Sequence, residues 1–319
     1  MSAAFRYVVL DFEGTLTQIE REAQPFLRAY QEYLADILGK DEDQVLELWK
    51  VSEQRVLATP HRFGGFEENG RIVAPPSDPY LRANAVARVL CHRFGVLKNP
   101  RVRTEVLQGI FRLAHRESTT CFRDDAARAL GELLALEDVT VAIVTNASAS
   151  MVLETLAPLG LGRLEKRLVV AGDAYKFGLT AEAPAPLRLL PEKQRAALAA
   201  WDARFNDLPA EITNAEIPRP IPVRRGSYFR ALRDEVWADD LSGPERTIVC
   251  GDVFELDLAL PQALGAHVHL IRREETPSYE VAAVEALPRA ATSKDLVAFV
   301  ERVRGIARSV TPSRASARP

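Results

Sequence analysis

Five short apolar runs, at residues 7–10, 139–144, 167–171, 247–251 and 266–271, punctuate a chain whose other segments carry apolar residues every three or four positions. Runs this short, aliphatic and bounded by turn residues predict strands buried on both faces, and the three-and-four spacing predicts amphipathic helices. After Thr15, Phe26, Tyr30, Tyr33, Leu34, Ile37 and Leu38 follow helical spacing, with Pro25 able to open the helix and Gly39 to close it. Asp43 then precedes a second helical run with Val45, Leu48, Trp49 and Val56, closed by Pro60. Further helices are predicted at 81–97, 102–115, 122–136, 149–160, Glu192–Phe205, Tyr228–Val236, 256–264 and about 294–307. Strands alternating with helices predict an α/β fold with a doubly wound, mostly parallel sheet, whose site lies beyond the carboxyl ends of the strands at the switch in strand order.

Two stretches break the pattern. In residues 61–80, Asn69-Gly70 is a hairpin turn signal flanked by Phe66 and Ile72, and Pro75-Pro76 ends the excursion. It reads equally as a substrate-facing loop or a surface excursion. Residues 177–221 form a second irregular block with one helical piece, and Ile217 to Pro222, with proline at every second position, must be extended. Residues 308–319 are small, polar and proline-containing, which predicts a disordered tail.

Composition narrows the class. With 319 residues, 47% hydrophobic and 27% charged, the chain can bury a full core as an ordinary soluble protein. A net charge of −3 lacks the basic excess of a nucleic-acid binder, and no run approaches the roughly 18 apolar residues of a membrane span. Cys91, Cys121 and Cys250 are odd in number and far apart, so neither a disulfide framework nor a zinc site is indicated. The first residues enter a strand by Phe5 without a basic segment and apolar stretch, so a cytoplasmic setting is expected. His61, His92, His115, His267 and His269 show no metal-ligand spacing; His267 and His269 are expected at satisfied strand positions. Arginine supplies nearly all the positive charge, with only seven lysines, so a lysine beside a strand end carries weight.

The candidate chemistry lies where apolar runs stop. The first ends at Asp11, with Glu13 two residues later before Gly14-Thr15; a buried strand delivering two carboxylates to its tip is costly without a partner. The run at 139–144 ends in Thr145 and Asn146, and TIVCGDVFELD places Asp252 after Gly251 with Asp257 five residues on. The order and spacing of these tips resemble the haloacid dehalogenase (HAD) superfamily: a DxD-G-T first motif, a strand-end Thr or Ser, a Lys or Arg, and GDxxxxD. The resemblance covers roughly residues 5–18, 137–176 and 222–275. It implies a Rossmann-like HAD core at 1–16 and 137–307, a helical cap at 17–136 covering the catalytic tip, and the 177–221 block as an insertion.

For the site, the resemblance implies Asp11 as a nucleophile forming an aspartyl-phosphate, with Mg²⁺ held by Asp11, the backbone carbonyl of Glu13 and Asp252, and Asp257 holding water or a neighbouring group. Glu13 departs from the usual Asp yet keeps its acid–base chemistry on a longer arm, which argues for a phosphatase and against the dehalogenase and phosphonatase branches. The same Glu-Gly-Thr is familiar from enolase-phosphatases, whose overall length fits this chain poorly. Thr145 and Asn146 would bind phosphoryl oxygens. Two cations compete for the third motif: Lys176, just past the 167–171 run, and Arg225, ahead of a helix; Lys176 is favoured for its scarcity. The function implied is Mg²⁺-dependent hydrolysis of a small phosphorylated metabolite. Phosphomutase-type transfer, or a weakly active member that binds a phosphorylated metabolite or a protein, are the alternatives.

Overall fold

Alternate residues of the central strands face opposite ways, and each set is buried in its own core. Tyr7 and Val9, Ala142 and Val144, Val249, and Val268 and Leu270 share one apolar cluster. Val8 and Leu10, Val141 and Ile143, Ile248 and Cys250, and Ile271 share another. This is the period-two geometry of a strand with both faces covered, and it explains why these segments read as unbroken apolar runs. The structure is a computed structural model that describes residues 5–68, 70–180, 191–238 and 240–310.

The chain divides into two compact units, residues 1–16 with 122–319, and residues 17–121. In chain order the first unit opens with β1 (Tyr7–Leu10). The second unit contains α1 (Ile19–Leu38), α2 (Glu42–Ala58), the hairpin β2 (Phe66–Glu68) and β3 (Arg71–Ala74), then α3 (Pro79–Phe94) and α4 (Pro100–Ala114). It has its own core, with Phe26, Tyr30, Trp49, Val86 and Leu90 fully or almost fully buried. Asp41, Asp78 and Asn99 cap its helices through their side chains. Gly39 ends α1 at φ +59°, a left-handed position that glycine adopts without a Cβ penalty.

The first unit resumes with α5 (Ala126–Leu134), β4 (Thr140–Val144), α6 (Ala149–Leu156), β5 (Leu168–Ala171) and α7 (Glu192–Asn206). The hairpin β6 (Glu211–Asn214) and β7 (Ile217–Pro222) follows, then α8 (Gly226–Ala231), which continues as a wider π-type turn over Leu232–Trp237. The remaining elements are β8 (Thr247–Gly251), a π-type turn at Phe254–Leu258 leading into α9 (Ala259–Ala263), β9 (His267–Ile271), α10 (Ser278–Glu285), β10 (Ala290–Ser293) and α11 (Leu296–Val310). Residues 122–136 fall in this unit, not with residues 17–121.

Among the described residues the main sheet has six parallel strands in the order β10-β9-β8-β1-β4-β5. The chain leaves β1 toward β4 and β5 on one side, then returns to β8 on the other, so the order switches at β1. Leu10 pairs with Ile143 on one side and Cys250 on the other, which brings the carboxyl ends of β1, β4 and β8 together. Helices α5, α6 and α11 cover one face of the sheet, while α7, α8, α9 and α10 cover the other. No helix among the described residues is long and apolar enough to cross a membrane.

Three sequence expectations change. Within the block at 177–221 the expected helix is present as α7 and the extended segment as β7, but where it is described the block is part of the core rather than an irregular insertion: α7 buries Trp201 and Phe205, and β7 buries Ile217 and Ile221, in the core of the second sheet face. Pro218, Pro220 and Pro222 fit β7 because among the described residues it pairs on one side only, with β6, so their missing donors cost no ladder bond. The sheet does not end at β9, since β10 adds an edge strand. Residues 308–310 close α11 rather than begin a tail. Asn69 of the hairpin turn, residues 181–190 of the block, and 311–319 of the tail lie outside the described residues.

Candidate active site

Asp11 follows the last residue of β1 and donates its backbone N–H to the carbonyl of Cys250 on β8, so the tip is tied to the neighbouring strand. Its Oδ1 receives Lys176 Nζ at 2.6 Å, and its Oδ2 receives the Thr15 hydroxyl at 3.3 Å. The turn between Asp11 and Thr15 is possible only with glycine at position 14. Gly14 has φ +79°, and a Cβ there would lie 2.3 Å from Asp252 Oδ2. Arg123 Nη2 donates to the Gly14 carbonyl at 3.0 Å and steadies the same turn.

Asp252 stands one residue beyond β8, and Asp257 is carried on the π-type turn that follows. The backbone N–H of Val253 donates to Asp257 Oδ2 at 3.0 Å, which folds the acid back toward the strand end. A Cβ on Gly251 would lie 2.3 Å from the Cβ of Asp257, so this fold-back also needs its glycine. Asp11, Asp252 and Asp257, all buried, can each bring one carboxylate oxygen within 4.8 Å of the others. Lys176 Nζ bridges two of them, reaching Asp257 Oδ1 at 2.8 Å as well as Asp11. It lies 5.3 Å from the centre of the Tyr228 ring, whose hydroxyl donates to the Asp257 carbonyl.

Glu13 and Thr145 meet across the top of β1 and β4. The Thr145 hydroxyl donates to Glu13 Oε2 at 2.8 Å while accepting the backbone N–H of Ala147 at 3.1 Å, which fixes its direction. Asn146 accepts the backbone N–H of Lys176 at 2.7 Å through Oδ1. Arg225, fully buried, donates from Nη1 to the Lys176 carbonyl at 2.9 Å. Of the two candidate cations, the structure therefore sets Lys176 against the carboxylates and Arg225 against the backbone of Lys176.

One participant has no signal in the sequence motifs. Arg273, two residues past β9, brings Nε to 2.7 Å from Asp252 Oδ2, with both side chains almost wholly removed from water. Its backbone N–H donates to the Thr276 hydroxyl at 2.7 Å, which holds the turn that aims it. Thr15, whose place after Gly14 the first motif marked, also joins the group, through its contact with Asp11 and a longer one, 3.5 Å, to Asp252 Oδ1.

Among the described residues the charges do not balance: four carboxylates, Asp11, Glu13, Asp252 and Asp257, outnumber Lys176, Arg273 and the more distant Arg225, whose charge also reaches Asp257. Burial raises Asp11 to about 8, with Asp257 and Glu13 adding to the rise and Lys176 opposing it. For Lys176, burial works to lower the ammonium, but Asp11 and Asp257 together carry it well above its usual value. Burial draws Arg225 down to about 10. A tight group of hard oxygen donors with surplus negative charge fits a small divalent cation, whose charge would stabilise the ionised form of Asp11.

Of the histidines, His269 is a core residue: Nε2 lies 2.8 Å from the Ser293 hydroxyl and Nδ1 3.2 Å from Arg302 Nη1. No disulfide joins the three cysteines; Cys91 and Cys250 are buried and Cys121 partly so.

No protein-family model and no curated protein matches this chain. Solved structures do. A protein described as the HAD-hydrolase YfnB of Bacillus subtilis, in a magnesium-bound form, is 14% identical with a TM-score of 0.50, over 94% of this chain and 99% of its own. A predicted phosphoglycolate phosphatase of Haemophilus somnus is 11% identical with a TM-score of 0.50, over 95% and 99%. The fold of this chain is that of the HAD-like hydrolases.

Proposed function

We propose that the protein is a divalent-cation-dependent phosphatase of small phosphomonoesters, with Asp11 as nucleophile and Glu13 as acid and base. The observation that carries the reading is the Asp11–Lys176 contact within a group of three buried carboxylates at the strand-order switch, with Glu13 oriented alongside by Thr145. Such a switch point is where open α/β sheets place their ligands.

Asp11, Asp252 and Asp257 would hold Mg²⁺, as hard oxygen donors do, and the Bacillus neighbour is described as bound to magnesium. When bound, the ion would screen the repulsion between a carboxylate and a phosphate dianion and polarise the phosphoryl group. A carboxylate oxygen of Asp11 forms a bond to phosphorus as the ester P–O bond breaks, and the departing alkoxide takes the proton of Glu13. Glu13, now ionised, accepts a proton from water as the water oxygen attacks the aspartyl-phosphate. The bond between Asp11 and phosphorus then breaks, releasing phosphate and restoring both acids. Lys176 offsets the charge on Asp11 and on the phosphoryl oxygens throughout. Asn146 and Arg225 hold the Lys176 backbone from two sides, so the ammonium needs little reorganisation.

The test is release of inorganic phosphate from an aryl phosphate and a panel of sugar and nucleoside monophosphates, with Mg²⁺ and with EDTA. Release that EDTA abolishes is expected. Release undiminished in chelator would remove the metal from the reading, and no release from any ester in Mg²⁺ would remove the phosphatase.

A further inference from the structure

The unit of residues 17–121 contains a cavity of about 610 Å³ whose lining is dominated by one charge. Arg55 comes from α2, Arg62 from the turn that follows it, Arg88 and Arg93 from α3, and Arg103 from α4. Among the described residues lining it, Glu67 is the one acid, and it is already taken up by Arg88 at 2.9 Å. Arg88 is further anchored by a donated bond to the Gly64 carbonyl. Arg55 lies over the Phe63 ring, 5.6 Å from its centre, so guanidinium and ring together form one wall.

Four positive charges remain uncompensated around one concavity, in a chain whose net charge is −3. Three helices and the turn after α2 converge to place them there. A concave surface lined by one sign of charge focuses its field and concentrates counter-ions. Burial, together with the charge of Arg103, draws the Arg88 guanidinium below its ordinary value despite Glu67, so cation already presses on cation inside the cavity. Guanidinium forks match phosphate and carboxylate oxygens two at a time, and the volume falls within the roughly 300–1,000 Å³ of small-molecule sites.

We infer that this cavity is a binding site for a small polyanion, a compound carrying two or more phosphate or carboxylate groups. A single anionic group would leave most of the charge unmatched. No residue of the Asp11 group lines the cavity, so the inference is independent of the chemistry proposed there.

Titration calorimetry tests it on the full chain stripped of divalent ions with EDTA and then dialysed into chelator-free buffer, because without a divalent ion the carboxylates around Asp11 repel anions and do not compete, and no chelating polycarboxylate is left to fill the cavity. The probes are inorganic tripolyphosphate, ATP and citrate, with orthophosphate as the single-anion reference. At least one polyanion is expected to bind ten-fold or more tightly than orthophosphate. ATP outbinding tripolyphosphate assigns a nucleotide that uses the Phe63 wall, and citrate outbinding both assigns a polycarboxylate. The double variant Arg62→Gln/Arg103→Gln, with folding checked by circular dichroism, is expected to weaken that binding ten-fold or more, while Asp11→Asn leaves it unchanged. If no polyanion exceeds orthophosphate, or the folded double variant binds as the wild type does, the cavity is not such a site.

Discussion

Arg273 pairs with Asp252 at 2.7 Å in a setting from which water is almost excluded, at an oxygen that a divalent ion would also want. The arginine therefore holds in place an acid that sits close to the carboxylates of Asp11 and Asp257. Breaking a buried pair from one side strands the other charge and costs about 3–5 kcal/mol. Arg273→Gln is expected to lower the melting temperature in EDTA, and Mg²⁺ should restore more stability to the variant than to the wild type, because the ion takes over the role of the arginine. Melts of both proteins in EDTA and in Mg²⁺ check this; an equal Mg²⁺ increment in the two would contradict it.

Asp11→Asn is nearly isosteric and removes a buried charge that Asp257 and Glu13 already disfavour. The variant is expected to fold, with a melting temperature within a few degrees of wild type, and to release no phosphate from any ester. Measurable multiple turnover in a folded variant would assign the nucleophile elsewhere.

Glu13→Gln keeps an oxygen able to accept from Thr145, so the geometry at 2.8 Å survives while the transferable proton is lost. A loss of about 10²–10⁴ in turnover is expected on alkyl phosphates. On aryl phosphates, whose leaving groups need no protonation, the loss should be much smaller. Equal losses on both classes would argue against acid–base work by Glu13.

Lys176 and Arg225 separate by readout. Lys176→Ala takes away the side chain that bridges Asp11 and Asp257, and is expected to reduce both turnover and binding of a fluoride complex that mimics phosphate by about 10²-fold or more. Arg225→Ala leaves Asp11 and Lys176 in contact but removes a fully buried guanidinium from the Lys176 carbonyl. Its expected signature is lowered stability by about 1–3 kcal/mol, with a smaller loss of turnover. The reverse pattern would give Arg225 the role at the phosphate.

How much of this was legible in the chain follows from how each residue reaches its place. Asp11, Thr145 and Asp252 were visible because an apolar run buried on both faces has an identifiable end, and an acid or hydroxyl there stands out. Lys176 was visible through the scarcity of lysine. Arg273 was not, because it is one among many arginines and its partner lies across two strand ends, a contact with no local pattern. The edge strand β10 escaped because Ala290-Ala291-Thr292-Ser293 is neither apolar enough nor alternating enough to signal a strand. In β7 the prolines forbade helix and so gave the extended backbone, but not its pairing with β6, which depends on Ile212 meeting Ile221. The cavity of the 17–121 unit was equally hidden, since its arginines are spread from position 55 to 103 and meet only when α2, α3 and α4 are folded together.

His269 makes the stability of the fold depend on pH away from the candidate site. Its Nδ1 faces the Arg302 guanidinium, and its Nε2 faces the Ser293 hydroxyl, which itself donates to the Asp295 carbonyl at 2.7 Å. The ring is thus held neutral, with the proton on Nε2. Burial, reinforced by Arg302, lowers His269 to about 3, against 6.5 for a free imidazole. A histidine depressed in the folded state takes up its proton first in the unfolded chain, so its contribution is complete above pH 6.5 and falls away as the pH drops toward 3. At pH 5 the loss from this residue is about 2 kcal/mol relative to pH 8. Denaturant unfolding of the wild type and of His269→Gln at pH 8 and pH 5 measures it. The variant is expected to be less stable at pH 8, having lost the matched donor and acceptor, yet to lose about 2 kcal/mol less than the wild type on going to pH 5. The same acid slope in both proteins would show that His269 titrates alike folded and unfolded, and that its contact with Arg302 does not hold the ring neutral.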